Sequence, residues 1–294
     1  MSVAIIINPI SGGVSPGQAR ARAELASTII DTHGDPAEVF VTERRGHARE
    51  LARAALHHGA RLVLAWGGDG TINEVASALA FQETPFGIVP AGSGNGLARE
   101  LGVARDPARA IAEALRAEPR PMDLGEMNGR PFVNIAGIGF DAYVAAAFDK
   151  RGSGRRGFAG YLGVGLRAIG SYVPLRYTIT IGDARIESRA ILVTVANSEQ
   201  FGNGARIAPG ARVDDGLLDL VVVEERSRWR TVAQLPRLFT GQADRIPGCS
   251  IRRIGRATIE SPEPMVFHVD GEPMEGGTRI DVRVHPGALR VAIK

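Results

Sequence analysis

Along the first 120 residues, short apolar runs alternate with segments whose apolar residues recur at helical spacing. Val3–Ile7, Glu38–Thr42, Leu62–Trp66 and Phe86–Val89 read as strands. Gln18–His33, with Ala21, Leu25, Ile29 and Ile30 on one face, reads as a helix, as do Ala48–His58, Thr71–Leu79, Leu97–Leu101 and Ala108–Ala117. Unbroken apolar strands separated by helices predict a parallel sheet covered on both faces. The ligands of such sheets sit at the carboxyl ends of the strands. Three glycine-rich loops fall there: Asn8–Gly13, Gly67–Thr71 and Gly92–Gly96.

The rhythm changes after residue 120. Asn128-Gly129, between Met122–Met127 and Phe132–Ile135, is a hairpin signal. Residues 140–172 read as largely helical with a break at Arg151–Gly157, and Trp229–Thr240 as one further helix. Strand patterns cover Arg176–Ile181, Ala190–Ala196, Leu217–Val223, Ala257–Glu260, Met265–Val269 and Arg279–Val284. A last strand, Leu289–Ile293, is placed to return to the first domain. The expectation is an α/β plus mostly-β chain. Residues 1–120, with about 287–294, form a parallel-sheet nucleotide-binding domain, and residues 121–286 an antiparallel, β-sandwich-like domain. No internal repeat or low-complexity linker interrupts this plan.

Composition narrows the class. The 294 residues are 44% hydrophobic and 23% charged, the balance of a globular protein of two domains. The net charge of +3 includes no long block of like charges, which argues against a nucleic-acid tail and leaves a weakly basic face for anionic lipid or phosphate. A single cysteine, Cys249, rules out an internal disulfide and suits a reducing, cytoplasmic setting. The N-terminus has neither the basic start nor the apolar length of a leader or anchor, and no apolar run is long enough to span a bilayer. None of the six histidines has zinc spacing with the cysteine; His268 reads as strand packing.

The glycine loops carry the chemistry. Backbone N–H groups that lack side chains around them let a polyphosphate approach, and helix N-termini behind two of the loops add a favourable dipole. A bare carboxylate, Asp69, would repel such phosphates unless a divalent cation bridged the two, so Asp69 is the candidate Mg²⁺ holder. An Asp-Gly step on its own is only a tight turn; the strand-loop-helix setting and two companion loops favour the cation. There is no P-loop and no Gly-x-Ser-x-Gly elbow. Gly137–Ala142 and Gly163–Ala168 fit Gly-x-Gly-x-x-Ala but lie in no βαβ unit, and read as close-packed or substrate-lining backbone.

Gly67-Gly-Asp-Gly-Thr-Ile-Asn-Glu-Val75 resembles the diacylglycerol/sphingosine lipid kinase family, in its soluble bacterial branch. Asn8-Pro-Ile-Ser-Gly12 is similar to that family's first loop and Pro90-Ala-Gly-Ser-Gly-Asn-Gly-Leu-Ala-Arg99 to its third, in the same order along the whole chain. Gly-Gly-Asp-Gly is shared with NAD kinases and phosphofructokinases, so the set rather than one motif carries the resemblance. It implies an NAD-kinase-like first domain that binds ATP through Asn8, Pro9, Ser11, Gly12, Thr42, Gly67, Gly68, Asp69, Gly70, Thr71, Asn73 and Ser93. It implies Glu272, in Asp-Gly-Glu, as the general base and Asp123 as an acid near the metal. It also implies a structural Mg²⁺ at the acidic loop Asp214–Asp219, on Asp215 and the carbonyls of Leu217 and of Arg212 just before the loop. Without the resemblance, Glu272 would read as a surface turn and Asp123 as a solvated residue leading into a hairpin, whereas three acids in six residues around Gly216 by themselves suit a hard-cation loop, in only part of an EF-hand pattern.

The implied activity is ATP- and Mg²⁺-dependent phosphorylation of a lipid hydroxyl, in phospholipid metabolism, by an enzyme that visits a membrane surface without crossing it. Homodimer pairing through an edge strand of the second domain is consistent with that role. The acyl chain would lie among Ile138, Phe140, Tyr143, Val144 and Phe148, with Asp141 either meeting the head group or capping a helix. Gly13 stands where relatives often carry a lysine, and no lysine lies between Lys150 and Lys294; Arg20, Arg22, Arg155, Arg156 and Arg167 are the candidate phosphate cations. The third loop is nearer to sphingosine kinase wording than to diacylglycerol kinase wording, so the lipid backbone stays open. Two other readings remain: an NAD-kinase-like phosphotransferase, and a nucleotide or lipid sensor without catalysis.

Overall fold

The computed structural model describes residues 1–12, 16–149, 163–165, 167–168, 171–202 and 204–294. Gly13, Lys150, Arg155, Arg156 and most of the expected 151–170 segment lie outside the described residues, as does the side chain of Phe148. The chain divides into two compact units, Met1–Met122 with Gly287–Lys294, and Asp123–Pro286.

The first unit alternates as its periodicity predicts: β1 (Val3–Ile7), α1 (Pro16–Thr32), β2 (Ala37–Val41), α2 (His47–His57), β3 (Leu62–Gly67), α3 (Asp69–Leu79), β4 (Phe86–Pro90), α4 (Gly96–Glu100) and α5 (Pro107–Arg116). The strands run parallel in the order β2-β1-β3-β4. β1 and β3 are buried at every residue, because helices cover both faces of a parallel sheet. Ile5, Ile7, Leu64 and Trp66 pack there with Ala26, Ile30 and Ile111 from α1 and α5. Asp106 caps α5 by accepting the Arg109 amide at 2.8 Å.

The second unit continues with β5 (Arg120–Met127), β6 (Arg130–Phe132), β7 (Ile135–Gly139), α6 (Phe140–Asp149), β8 (Leu175–Ile181), β9 (Ala184–Ala196), β10 (Gln200–Gly202), β11 (Ala205–Arg206), β12 (Leu218–Glu224), α7 (Arg228–Phe239), β13 (Cys249–Ile254), β14 (Arg256–Glu260), β15 (Val266–Val269), β16 (Glu272–Glu275) and β17 (Arg279–Val291). It is an antiparallel sandwich. Long β9 pairs with β8 through residues 184–190, and with both β7 and β12 through its C-terminal half. Tyr177, Phe132, Phe267, Val193, Leu220 and Ile259 fill its core.

Two expectations about elements change. The run Phe132–Ile135 is split between β6 and β7. The strands expected at Arg279–Val284 and Leu289–Ile293 are one, β17, despite Pro286 and Gly287. Proline removes one ladder donor, and Gly287 at φ +58° supplies the bend where the strand exchanges its antiparallel partner β14 for a parallel bridge from Val291 to Phe86 of β4.

Candidate active site

In the first unit, all three glycine loops meet at the carboxyl ends of the strands and are bolted to one another. Asn8, just past β1, donates through Nδ2 to Thr71 Oγ1 at 3.0 Å, which joins the first loop to the second. Gly12, at φ +81°, lies so close to the third loop that a Cβ would stand 2.8 Å from the Ala91 carbonyl oxygen. Gly68 and Gly92 stack backbone on backbone; a Cβ on Gly92 would come within 2.7 Å of the Gly68 Cα. A Cβ on Gly67 would stand 2.5 Å from the Thr71 side chain. Here glycine is required by space, not by turn type.

Asp69 opens α3 at the centre of this arrangement. One carboxylate oxygen accepts the Gly96 amide at 2.7 Å and the other the Asn95 amide at 3.0 Å. Asn95 sits in the left-handed region and closes its own loop, accepting from the Gly92 amide and donating to the Gly92 carbonyl. Burial pushes the Asp69 carboxyl up, against the pull of the Gly96 and Asn95 amides, its own amide and Arg99. A half-buried carboxylate that is costly to charge is one that a cation would relieve. Among the described residues no three His, Cys, Asp or Glu side chains gather as a metal cage. Mg²⁺ on a nucleotide needs only one or two carboxylates beside the phosphates, so the residues present fit it.

The other predicted ATP residues sort into several kinds. Pro9, Ser11 and Gly12 shape the first loop, Gly70 lies in the first turn of α3, and Ser93 is exposed on the third loop. Thr42 and Thr71 are buried, and the Thr42 amide donates to Ile7 beyond the end of β2. Asn73 is also buried, and its side-chain oxygen accepts from Ser77 one turn along α3. Arg22 is occupied: it donates to the Asn8 and Ser11 carbonyls and lies 5.5 Å over the Trp66 ring, bracing the first loop from behind. Arg20 pairs with Glu24 on the surface of α1, and Arg167 is exposed.

One residue of the second loop's motif has a role that sequence reasoning missed. Glu74 accepts the Gly46 amide at 2.8 Å and the Ala48 amide at 3.0 Å, and so caps α2, whose own N-terminal residue Gly46 has no side chain to do it. Glu74→Ala should cost about 1 kcal/mol in urea unfolding.

The second unit holds the remaining acids. Asp270 and Gly271, at φ +47° and +85°, make the two-residue turn between β15 and β16 that Asp-Gly favours, and Glu272 is the first residue of β16, half-buried and paired with Val269. Asp270 fastens the turn: its carboxylate accepts the amides of Val133 at 2.9 Å, Asn134 at 3.0 Å and Ile135 at 2.9 Å. Asp123 is buried and accepts the Gly216 amide at 2.6 Å, so it belongs with the acidic loop. Asp215 accepts the Leu217 amide and pairs with Arg253, while Arg212 pairs with Asp214. Burial raises Asp219, in β12, to about 6.

Gly137–Ala142 is close-packed backbone. A Cβ on Gly137 would stand 1.9 Å from Asp141 Oδ2, and Gly139, at φ +106°, passes 2.8 Å from the Ile191 carbonyl in the same sense. Asp141, expected either to meet a head group or to cap a helix, is buried, and its carboxylate accepts the Ala142 amide at 2.7 Å in the first turn of α6. Of the expected acyl-chain residues, Ile138 packs in the unit's main core and Val144 packs with Val164 and Ala168, whereas Tyr143 is exposed beside Tyr172.

Comparison with known proteins follows the division into units. Residues 2–127 match the diacylglycerol kinase catalytic domain, and residues 134–293 the YegS C-terminal NAD kinase beta sandwich-like domain. A Pseudomonas aeruginosa protein named "Probable lipid kinase YegS-like" is 35% identical over 282 residues, 95% of this chain and 91% of its own. One of the same name from Cronobacter sakazakii is 31% identical over 269 residues, 89% and 88% of the two chains. The crystal structure of a diacylglycerol kinase from Bacillus anthracis str. Sterne superimposes with a TM-score of 0.74 over 100% of this chain and 97% of that one, at 20% identity, which establishes a shared fold.

Proposed function

The chain belongs to the family of YegS-like lipid kinases with a diacylglycerol kinase catalytic domain, and we propose that it transfers the γ-phosphoryl group of ATP to a hydroxyl of a diacylglycerol-like or sphingoid lipid. The observation that carries this reading is the interlocked set of glycine loops around Asp69 at the carboxyl ends of a parallel sheet. In phosphoryl transfer the protein supplies mainly position and charge. Amides of the loops and of the first turn of α3 receive the phosphates, and Asp69 is the residue that would hold Mg²⁺. When bound, that ion neutralises charge on the phosphate oxygens.

Glu272 takes the acceptor's proton as the hydroxyl oxygen bonds to the γ-phosphorus and the bond to the β,γ-bridging oxygen breaks; ADP leaves. On this reading Asp123 is an acid near the metal, although its buried carboxylate accepts the Gly216 amide of the acidic loop. Among the described residues no helix is long and apolar enough to cross a membrane. On this reading the acceptor is met at a membrane surface, from the cytoplasmic side. The names of the relatives favour a lipid over NAD as acceptor.

The test is purified protein with labelled ATP, Mg²⁺ and mixed micelles of diacylglycerol, monoacylglycerol, sphingosine or phosphatidylglycerol, with NAD alongside. Label in one lipid, lost with Asp69→Asn, supports the kinase. Label in NAD moves the chain to the NAD-kinase-like reading. ATP binding without transfer moves it to the sensor reading.

The acidic loop takes a structural Mg²⁺ on this reading, with Asp215 and the carbonyls of Arg212 and Leu217 as its ligands, in competition with Arg253. Millimolar Mg²⁺ should then raise the melting temperature, an effect that Asp215→Asn abolishes and Arg253→Gln enlarges. An equal Mg²⁺ response in all three proteins would remove the ion from this loop.

A further inference from the structure

Two polar side chains lie in the second unit where apolar ones would pack: Asp141 and His268, with side chains 3% and 5% exposed. His268 shares its face of the sheet with its register partners Gly137 and Thr194, under α6, while Ile138, Val193, Val195, Phe267 and Val269 pack in the core on the opposite face. An ion-pairing group buried in such a place is weak evidence for stability, since a well-packed apolar pair does as well or better. The fold also clears room for it, because only glycine at 137 leaves space for the Asp141 carboxylate. The reason for the pair is therefore to be sought in what it holds.

The hydrogen bonds run in one direction. Asp141 Oδ1 accepts the Ala142 amide, and Oδ2 accepts the Thr194 hydroxyl at 3.0 Å. Oδ2 also lies 3.2 Å from His268 Nε2. The Gly271 amide donates to His268 Nδ1 at 3.3 Å, so Nδ1 carries the lone pair and Nε2 the proton, which lies in the field of the Asp141 carboxylate. Gly271 is the residue between Asp270 and Glu272. The opposite tautomer would set an N–H against an N–H at that point.

We propose that the Asp141–His268 pair is a positioning device for the turn that carries Glu272: Asp141 fixes the tautomer of His268, and His268 holds the Gly271 amide. The proposal rests on Glu272 being the general base. It gives the turn a second anchor, independent of the Asp270 carboxylate, on the side of the glutamate. Neither residue touches substrate.

The test combines kinetics with nitrogen-15 histidine NMR on the full chain, His268 being assigned from the spectrum of His268→Asn. In the parent, His268 should be the Nε2–H tautomer; in Asp141→Asn, which can donate to Nε2, it should switch to Nδ1–H. Asp141→Asn should lower kcat about 10- to 100-fold, the range for a misplaced reacting group, with KM for ATP within about twofold. The side chain introduced by His268→Asn offers an oxygen to the Gly271 amide without needing Asp141, so that variant should lose less. Adding Asp141→Asn to it should cost nothing more. A merely structural role predicts additive losses that track melting temperature instead. The proposal is overturned by an Nδ1–H parent tautomer, by an Asp141→Asn enzyme at parental kcat, or by full additivity. A parent with no phosphotransferase activity overturns the kinase reading itself and this role with it.

Discussion

Glu272→Gln should bind ATP like the parent and turn over about 10²- to 10⁴-fold more slowly, the contribution of a well-placed general base. The substitution keeps size and hydrogen-bonding shape and removes only the capacity to accept a proton. Glu272 begins β16, paired with Val269 across a two-residue turn, so its backbone is fixed by a ladder on one side and by Asp270 on the other. A glutamine there leaves that frame intact. The loss should fall on kcat, with KM for ATP unchanged, because on the proposed reading the first unit's loops bind the nucleotide without it. Glu272→Asp, one methylene short, should fall between the two. Lipid phosphate formation gives kcat and calorimetry gives ATP affinity. A kcat within about fivefold of the parent would assign the proton to another group.

How much of this was legible in the sequence depended on the range of the interaction. The parallel sheet and the meeting of the glycine loops follow from local signals, apolar runs that stop at glycines, and the structure matches them closely. The role of Glu74 was not legible, because its partners Gly46 and Ala48 precede it by 28 and 26 residues and nothing in their identity asks for a carboxylate. Pro286-Gly287 is a breaker signal that divides β17 into two in the sequence, and only its two sets of partners show that the strand continues. Asp141 was ambiguous for a similar reason. An acid at a helix start can face in or out, and what turns it inward is the missing Cβ of Gly137 together with His268, far along the chain in β15. β13, Cys249–Ile254, carries Ser250, Arg252 and Arg253 in six residues and gave no clean alternation.

Asp270→Ala should be the most destabilising single change near the site, by about 3–5 kcal/mol. In Asp-Gly-Glu the eye goes to the glutamate, but the aspartate has more bonds to lose. Its carboxylate accepts three successive amides, Val133 to Ile135, and its own amide donates to the Ile135 carbonyl at 2.7 Å. Removing the carboxylate leaves donors at the start of β7 without their acceptor, at about 1–3 kcal/mol each if water cannot replace it. Alanine also tolerates the left-handed φ of +47° less well than aspartate does, at about 1 kcal/mol. Asp270→Asn keeps the turn preference and one acceptor oxygen, so it should lose roughly half as much. Denaturant unfolding followed by far-UV circular dichroism would read both variants. A loss below about 1 kcal/mol for Asp270→Ala would mean that water reaches the 133–135 amides. The turn would then be held chiefly from the His268 side, and the two anchors would exchange importance: among variants of the second unit, Asp141→Asn would become the one whose damage to kcat is largest after Glu272→Gln.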